Sequence, residues 1–356
     1  MSTPNEPKTL LAVFNRVGDL TMSTPLFRAV GRDTRLSLLA RPFGPELFAG
    51  QSWLQSIYSL DYPNRGRSLV GRGLLGGHRR RLGRELSREG FDRVLIYATE
   101  REVIRRWLVE LFPGRVEEIP RTPVPGEHAS EWYRQAAESL GCDMESYERF
   151  PVLEIPTSVR EQARERVAAV GQRVVGVQMG SQRTNAVWPL VPRPHLKALS
   201  GDQWAAIVGR LLDEGHADAV VFHGSPRESG AVRAVLDKLP APARSRCHDF
   251  TDVGLSTLPA VLAGLRALLS VDTGPAHIAA AVGCPLLVFF GPTDPAVFRP
   301  RGPGAIEVLV GSAPCQFCHE TPQYGVCRDN ICLNQLTEDR LWGAWLRLRA
   351  ADRDPS

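Results

Sequence analysis

SVDTGPAHIAAAVGCPLLVFFGPTDPAVFRP, residues 270–300, is the stretch whose reading decides the fold. The apolar run Ala267–Val271 feeds it and predicts a buried parallel strand. The chain then turns through Asp272, Thr273 and Gly274. Pro275 suits a first helical position, where its missing N–H costs nothing. Residues 276–282 predict a short helix with His277 in its first turn, ended by Gly283 and Pro285. Leu286–Phe290 predicts a second buried strand, left through Gly291, Pro292 and Thr293. The product is a strand–loop–helix–strand unit. Its helix N-terminus presents unpaired N–H groups and a positive dipole end, which favour phosphate.

The same alternation runs outward through the chain. Strands are expected at 9–14, 36–40, 54–60, 93–97 and 116–119. Between them fall helices at 20–30, from about 74 in an arginine-rich stretch, at 101–112 and at 128–140. A second series has an extended segment at 152–155 and a helix at 157–170 with Thr157 or Ser158 as its cap. It continues with a strand at 174–178, a helix at 203–214, a strand at 219–222, and helices at 228–239, 258–265 and 336–349. This predicts an α/β protein with two doubly wound, Rossmann-like domains. The first covers 1–160 and the second 161–335, with 336–356 carrying the last helix. Two such domains would leave a cleft between them, with ligands beyond the carboxyl ends of the strands.

Composition narrows the classes. The 356 residues are 43% hydrophobic with a formal net charge of +4, too mildly basic for a dedicated nucleic-acid binder. Almost all the positive charge is arginine, since lysine occurs only at Lys8, Lys197 and Lys238. The apolar run at 10–14 is too short for a signal-peptide core, and longer runs are broken by Arg266, Asp272, His277 and Pro285. A cytoplasmic protein is expected, and its seven cysteines then point to thiols or a metal before disulfides.

Five places carry candidate chemistry. Gly18-Asp19 follows the first strand; its carboxylate suits either a general base or an N-cap on the next helix. Gly180-Ser181 follows the strand at 174–178 and can cradle phosphate, with Arg183 adding charge. Glu228, after Gly224-Ser225-Pro226-Arg227, suits a ribose or base edge, or a first-turn helix carboxylate. Asp272, Thr273 and Gly274 suit ribose and phosphate, with His277 one turn on. Cys315, Cys318, Cys327 and Cys332 have the spacing of a structural tetrathiolate for zinc or iron, against idle or redox-labile thiols. A sixth pattern, Gly71-Arg72-Gly73-Leu74-Leu75-Gly76, matches a dinucleotide fingerprint but lacks its preceding strand and following acid. The arginines around it, among them Arg79, Arg80, Arg81 and Arg84, suit a solvated helix face, an anionic acceptor or a membrane surface.

Taken together, these segments resemble the ADP-heptose:lipopolysaccharide heptosyltransferases, glycosyltransferase family 9. The likeness rests on the 270–300 stretch, LLAVFNRVGDLTMSTPLFRAV near the N-terminus, VVGVQMGSQRTNAVWPL, VVFHGSPRE, CHDFTDVGLSTLPAVL and the C-terminal cysteines. It is weak from Gly44 to Phe150, where acceptors are expected. It implies a GT-B fold whose last helix crosses back to the first domain. It also implies inverting transfer from a nucleotide-sugar, with neither a catalytic metal nor an organic cofactor. By the same resemblance Asp19 is the general base and Ser181 a phosphate-contacting hydroxyl, while Glu228, Asp272, Thr273, Gly274 and His277 hold the ADP part. The family's lysine two residues before Trp-Pro is replaced by Ala186, and Arg183 is the candidate to supply its charge. The implied partners are an ADP-sugar donor and a glycan or protein acceptor, at the cytoplasmic face of the inner membrane. The other readings are a transferase using a different nucleotide-sugar or a small-molecule acceptor, and a non-catalytic nucleotide-sugar-binding module.

Overall fold

The computed structural model describes residues 6–61, 69–97, 102–119, 121–180 and 196–352, with backbone alone at 69–75, 320 and 325. The chain divides into two compact units, Met1–Arg149 and Phe150–Ser356.

The first unit runs β1 (Lys8–Ala12), α1 (Val17–Met22), α2 (Thr24–Gly31), β2 (Arg35–Ala40), α3 (Gly44–Leu47) and β3 (Ser56–Ser59). It continues with α4 (Leu69–Glu89), β4 (Arg93–Tyr97), α5 (Glu102–Leu111), β5 (Val116–Ile119) and α6 (Ala129–Ser139). Its five strands are parallel in the order β3-β2-β1-β4-β5. The central strands are continuous apolar runs because both faces are covered: Leu10, Leu11, Leu38, Leu39, Val94 and Leu95 are fully buried. The helix expected at 20–30 is two helices. Pro25 stands in the first turn of α2 and cannot donate to a helix running through Ser23. The Gly71–Gly76 pattern lies inside α4, where no strand-to-helix turn exists to cradle a phosphate.

The second unit opens with α7 (Thr157–Ala168), β6 (Val174–Gln178), α8 (Gly201–Asp213), β7 (Ala219–His223), α9 (Ser229–Leu236), α10 (Ala241–Arg244) and β8 (Cys247–Asp249). Then come α11 (Leu258–Ala263), β9 (Ala267–Val271), α12 (Gly274–Ala281), β10 (Leu286–Phe290), α13 (Pro295–Phe298) and β11 (Ile306–Val310). Last are α14 (Pro322–Val326), α15 (Ile331–Asn334) and α16 (Glu338–Ala351). Six parallel strands stand in the order β11-β10-β9-β6-β7-β8. The boundary falls after Arg149 because α7 packs on α11 and belongs wholly to the second unit. Residues 152–155 form no strand, and α7 is capped by neither Thr157 nor Ser158: Pro156 holds the N-cap without a side-chain bond.

Both sheets reverse strand order at one point, between β1 and β4 in the first and between β6 and β9 in the second. Ligands of such sheets sit at the carboxyl ends beside that reversal. The last helix, α16, buries Leu341, Trp342, Ala344, Trp345 and Leu348 against β11, β10 and α8 of its own unit. Trp345 Nε1 donates to His216 Nδ1 at 3.1 Å there. Among the described residues no helix is long and apolar enough to cross a membrane.

Candidate functional site

In the first unit the reversal point is built from the loop after β1. Asp19 stands in the first turn of α1, whose N-cap is Arg16. The carboxylate is therefore not spent as the N-cap, one of the two roles its position suggested. It is half-buried and faces two phenols, Tyr97 at the end of β4 and Tyr133 on α6. Their rings stand 5.4 Å apart between centroids. Burial pushes both hydroxyls above the ordinary phenol range; the Arg121 guanidinium opposes this and the Asp19 carboxylate adds to it. Both phenols stay neutral at any working pH. Asn15 Nδ2 donates to Tyr133 Oη at 3.5 Å. Tyr97 Oη is buried and has no hydrogen-bond partner among the described residues. Gly18, second residue of α1, brings the backbone into this turn.

The second unit's reversal point is built from β6 and β9. Gly180 ends the first strand's exit, and its carbonyl accepts from Gln178 Nε2 at 2.9 Å. Ser181, Arg183 and Ala186 lie outside the described residues. Asp272 follows β9 and is 9% exposed. Thr273 is the N-cap of α12 in extended backbone, and Gly274 rather than Pro275 is the first helical residue. His277 is buried in the same helix. One residue here escaped the sequence reading. Lys197, just ahead of α8, places Nζ 2.6 Å from Asp272 Oδ2, with both side chains largely buried. Burial alone would raise the Asp272 pKa, but the Lys197 ammonium outweighs it and holds the carboxyl below its ordinary range. The available signal was rarity: Lys197 is one of three lysines among 43 basic side chains.

Glu228 lies at the end of a short 3₁₀ turn after β7, and its Oε2 accepts from the Ser225 N–H at 2.7 Å and from Ser225 Oγ at 2.9 Å. Gly224 makes room for it, since a Cβ there would stand 3.1 Å from Oε2. One carboxylate oxygen thus serves the local cap. Beside it His223, 3% exposed, has neither ring nitrogen partnered among the described residues. Burial lowers its pKa to about 4, so the ring is neutral near neutrality.

The cysteines group around the exits of β10 and β11. A Cβ on Gly291 would stand 2.9 Å from Cys332 Sγ, and one on Gly311 would overlap the Cys332 carbonyl at 1.9 Å. Only glycine lets the finger lie that close. Cys318 and Cys332 are buried, Cys315 and Cys327 half-buried, and all four are free. Among the described residues no group of three or more His, Cys, Asp or Glu is arranged to hold a metal. Burial, with the charges of Cys318, Cys315 and Cys327 adding to it, raises Cys332 to about 11.

Known proteins share this plan. The solved structure of E. coli ADP-heptose lps heptosyltransferase II is similar with a TM-score of 0.73 at 17% identity, over 98% of this chain and 100% of that one. A more distant likeness, with a TM-score of 0.52 at 12% identity over 99% of this chain and 78% of that one, is to the iron-containing dodecameric glycosyltransferase TibC from enterotoxigenic E. coli H10407. At those identities the likeness concerns the fold: two parallel α/β sheets of GT-B type. In sequence, lipopolysaccharide heptosyltransferase 1 of Pseudomonas aeruginosa is 41% identical over 115 residues, which are 32% of this chain and 30% of that protein. The match thus spans under a third of the relative's length. The model of glycosyltransferase family 9 (heptosyltransferase) matches residues 118–325, which include Lys197, Glu228 and the whole 270–300 stretch. With more than half of its length matched, the chain belongs to glycosyltransferase family 9, the heptosyltransferases.

Proposed function

We propose that the chain moves a heptose from ADP-heptose, with inversion, to a hydroxyl of a glycan such as the lipopolysaccharide inner core or of a protein. The observation that carries this is the contrast between its two reversal-point aspartates. Asp272 is buried and ion-paired to Lys197. Asp19 faces neutral phenols.

In this reading Asp19 accepts the proton of the acceptor hydroxyl. The freed oxygen attacks the anomeric carbon, and the bond from that carbon to the ADP oxygen breaks. ADP departs with its added negative charge. Lys197, the first-turn N–H groups of α12, Gly180 and Ser181 stabilise that charge, and Arg183 adds to them. Lys197 thereby takes the part that Ala186 leaves vacant in the sequence pattern. Asp272 orients Lys197, while Thr273, Gly274, His277 and the free oxygen of Glu228 hold ribose and base. No catalytic metal enters this scheme.

The cysteines suit a structural metal. Four thiols of one segment, two of them buried, supply the number and type of ligand that zinc or iron takes, and the metal would replace their protons. Elemental analysis of protein purified without added metal should find close to one equivalent of zinc or iron; a small fraction of that sinks the idea.

The test of the activity is ADP release from ADP-heptose with and without a heptose-free inner-core acceptor. Acceptor-dependent release, with ADP-glucose and UDP-sugars much slower, is expected. Equal release from a UDP-sugar would assign another donor, and tight ADP-heptose binding without turnover on any acceptor would assign a binding module.

A further inference from the structure

Lys197 stands in a turn ahead of α8, outside helix and strand. Its neighbours show what holds that turn. The Ala198 carbonyl accepts from Asn330 Nδ2 at 2.7 Å, across 132 positions of sequence. Leu199 is buried. Ser200 caps α8 in a reciprocal box with Gln203, whose Oε1 accepts from the Ser200 N–H at 2.9 Å. Gln203 Nε2 in turn donates to the Leu333 and Leu336 carbonyls at 2.9 and 2.8 Å. Residues 198–203 are thus stitched to residues 330–336, which begin inside the cysteine segment. The two bonds from Gln203 reach α8 itself; the one from Asn330 falls beside Lys197.

Asn330 is buried and has a φ of 44°, in the left-handed region that asparagine enters more readily than most residues. It holds the N-cap position of α15, but its side chain caps nothing there. An asparagine N-cap ordinarily turns its oxygen to the backbone N–H two or three residues on. Here Nδ2 is spent on the Ala198 carbonyl, and Oδ1 accepts from Cys332 Sγ at 3.5 Å. Burial, a left-handed backbone and a forgone cap coincide at the residue that grips the carbonyl beside Lys197. The cysteine segment does not hang on this amide alone. The Ser312 N–H donates to the Cys332 carbonyl at 3.2 Å, and the His319 N–H to the Pro292 carbonyl at 2.9 Å. Removing the Asn330 side chain therefore loosens the Lys197 turn without detaching the segment.

Lys197 closes its ion pair with Asp272 Oδ2 at 2.6 Å from a flexible four-carbon stem. Fixing the carbonyl of the next residue limits where that ammonium can sit. We propose that Asn330 is a positioning residue: by holding the Ala198 carbonyl it sets Lys197 against Asp272 and so shapes the grip on ADP. The proposal rests on the reading of Lys197 as a donor-binding cation.

Full-length Asn330→Gly is compared with the parent by nitrogen-15 NMR of the lysine ammonium groups and by titration with ADP. Glycine keeps the left-handed backbone without strain. Of the three lysines Lys197 is the most enclosed, its side chain 17% exposed against 34% for Lys8 and 44% for Lys238, so its signal should exchange slowest with water. In Asn330→Gly that signal should shift or broaden while those of Lys8 and Lys238 stay. ADP affinity should fall about fivefold, the net worth of one hydrogen bond. Asn330→Asp keeps an acceptor for Cys332 Sγ but sets an oxygen against the Ala198 carbonyl, and should do at least as much. In the Lys197→Met, Asp272→Asn background, Asn330→Gly should cause no further loss of ADP affinity. An unchanged Lys197 signal overturns the proposal. So does an equal loss of ADP affinity in both backgrounds, which would make Asn330 a general support of the fold. ADP affinity lost in Lys197→Met, Asp272→Asn but intact in Asn330→Gly overturns it too. A changed Lys197 signal with ADP affinity intact in every variant would uphold the positioning and remove Lys197 from the grip on ADP, so that the failure falls on the proposed function.

Discussion

Two aspartates occupy matching places in two sheets of matching order, and their surroundings are opposite. Asp19 lies in the first turn of α1 after β1, Asp272 directly beyond β9, each beside the strand-order reversal of its own sheet. Asp272 is buried and clamped by an ammonium at 2.6 Å, so its charge is fixed across the neutral range. A carboxylate in that state orients a cation and does not exchange protons. Asp19 is half-buried beside phenols that burial keeps neutral. Under the proposed function the same residue type is a holder in one sheet and the base in the other.

The contrast breaks most visibly at Lys197. Replacing it with alanine leaves Asp272 buried without a counter-charge, which should cost about 3–5 kcal/mol of stability at pH 7. It should also weaken ADP binding more than tenfold. Chemical denaturation and calorimetry check both. Lys197→Met combined with Asp272→Asn should recover most of the stability and none of the ADP binding. The pair also has a pH sign. Asp272 has a depressed pKa in the fold, so its contribution is present above the unfolded-state value and is lost as pH falls through the folded one.

His223 supplies a second pH effect in the same unit. Its folded pKa of about 4 lies below the ordinary value of 6.5. Between those values the unfolded chain binds a proton that the folded chain does not. Stability therefore falls as pH drops from 6.5 towards 4, by about 3 kcal/mol at most. His223→Phe should flatten that part of the denaturation profile; an unchanged slope would mean that His223 is not neutral and buried as described.

Glu228 should show the smallest effect. Glu228→Ala removes the acceptor for Ser225 and should cost about 1 kcal/mol. If the free oxygen also holds the ribose, Glu228→Gln should keep the stability and still weaken ADP binding several-fold. No change in binding would leave Glu228 a cap alone.

The frame of the molecule was legible because its central strands are continuous apolar runs flanked by turn residues. Ala267–Val271 and Leu286–Phe290 fall where the sequence reading placed them. The edges of the second sheet were not legible. β11 reads IEVLV, with a glutamate inside it, and β8 is three residues long, CHD. Edge strands bury one side and keep polar residues on the other, so the apolar signal thins out. Asp272 was visible from its turn, but its partner Lys197 lies 75 positions away, and only the fold joins them. Tyr97 and Tyr133 were hidden for the opposite reason. They fall on a buried strand end and a buried helix face, where an aromatic residue reads as core.

The central claim is that the base belongs to the first sheet and the donor grip to the second. It is tested most directly by measuring ADP-heptose binding and turnover on the same preparation of Asp19→Ala. The account predicts binding within about twofold of the parent and turnover lowered by roughly 10²–10⁴. Near-normal turnover, or loss of donor binding to match the loss of turnover, would contradict it.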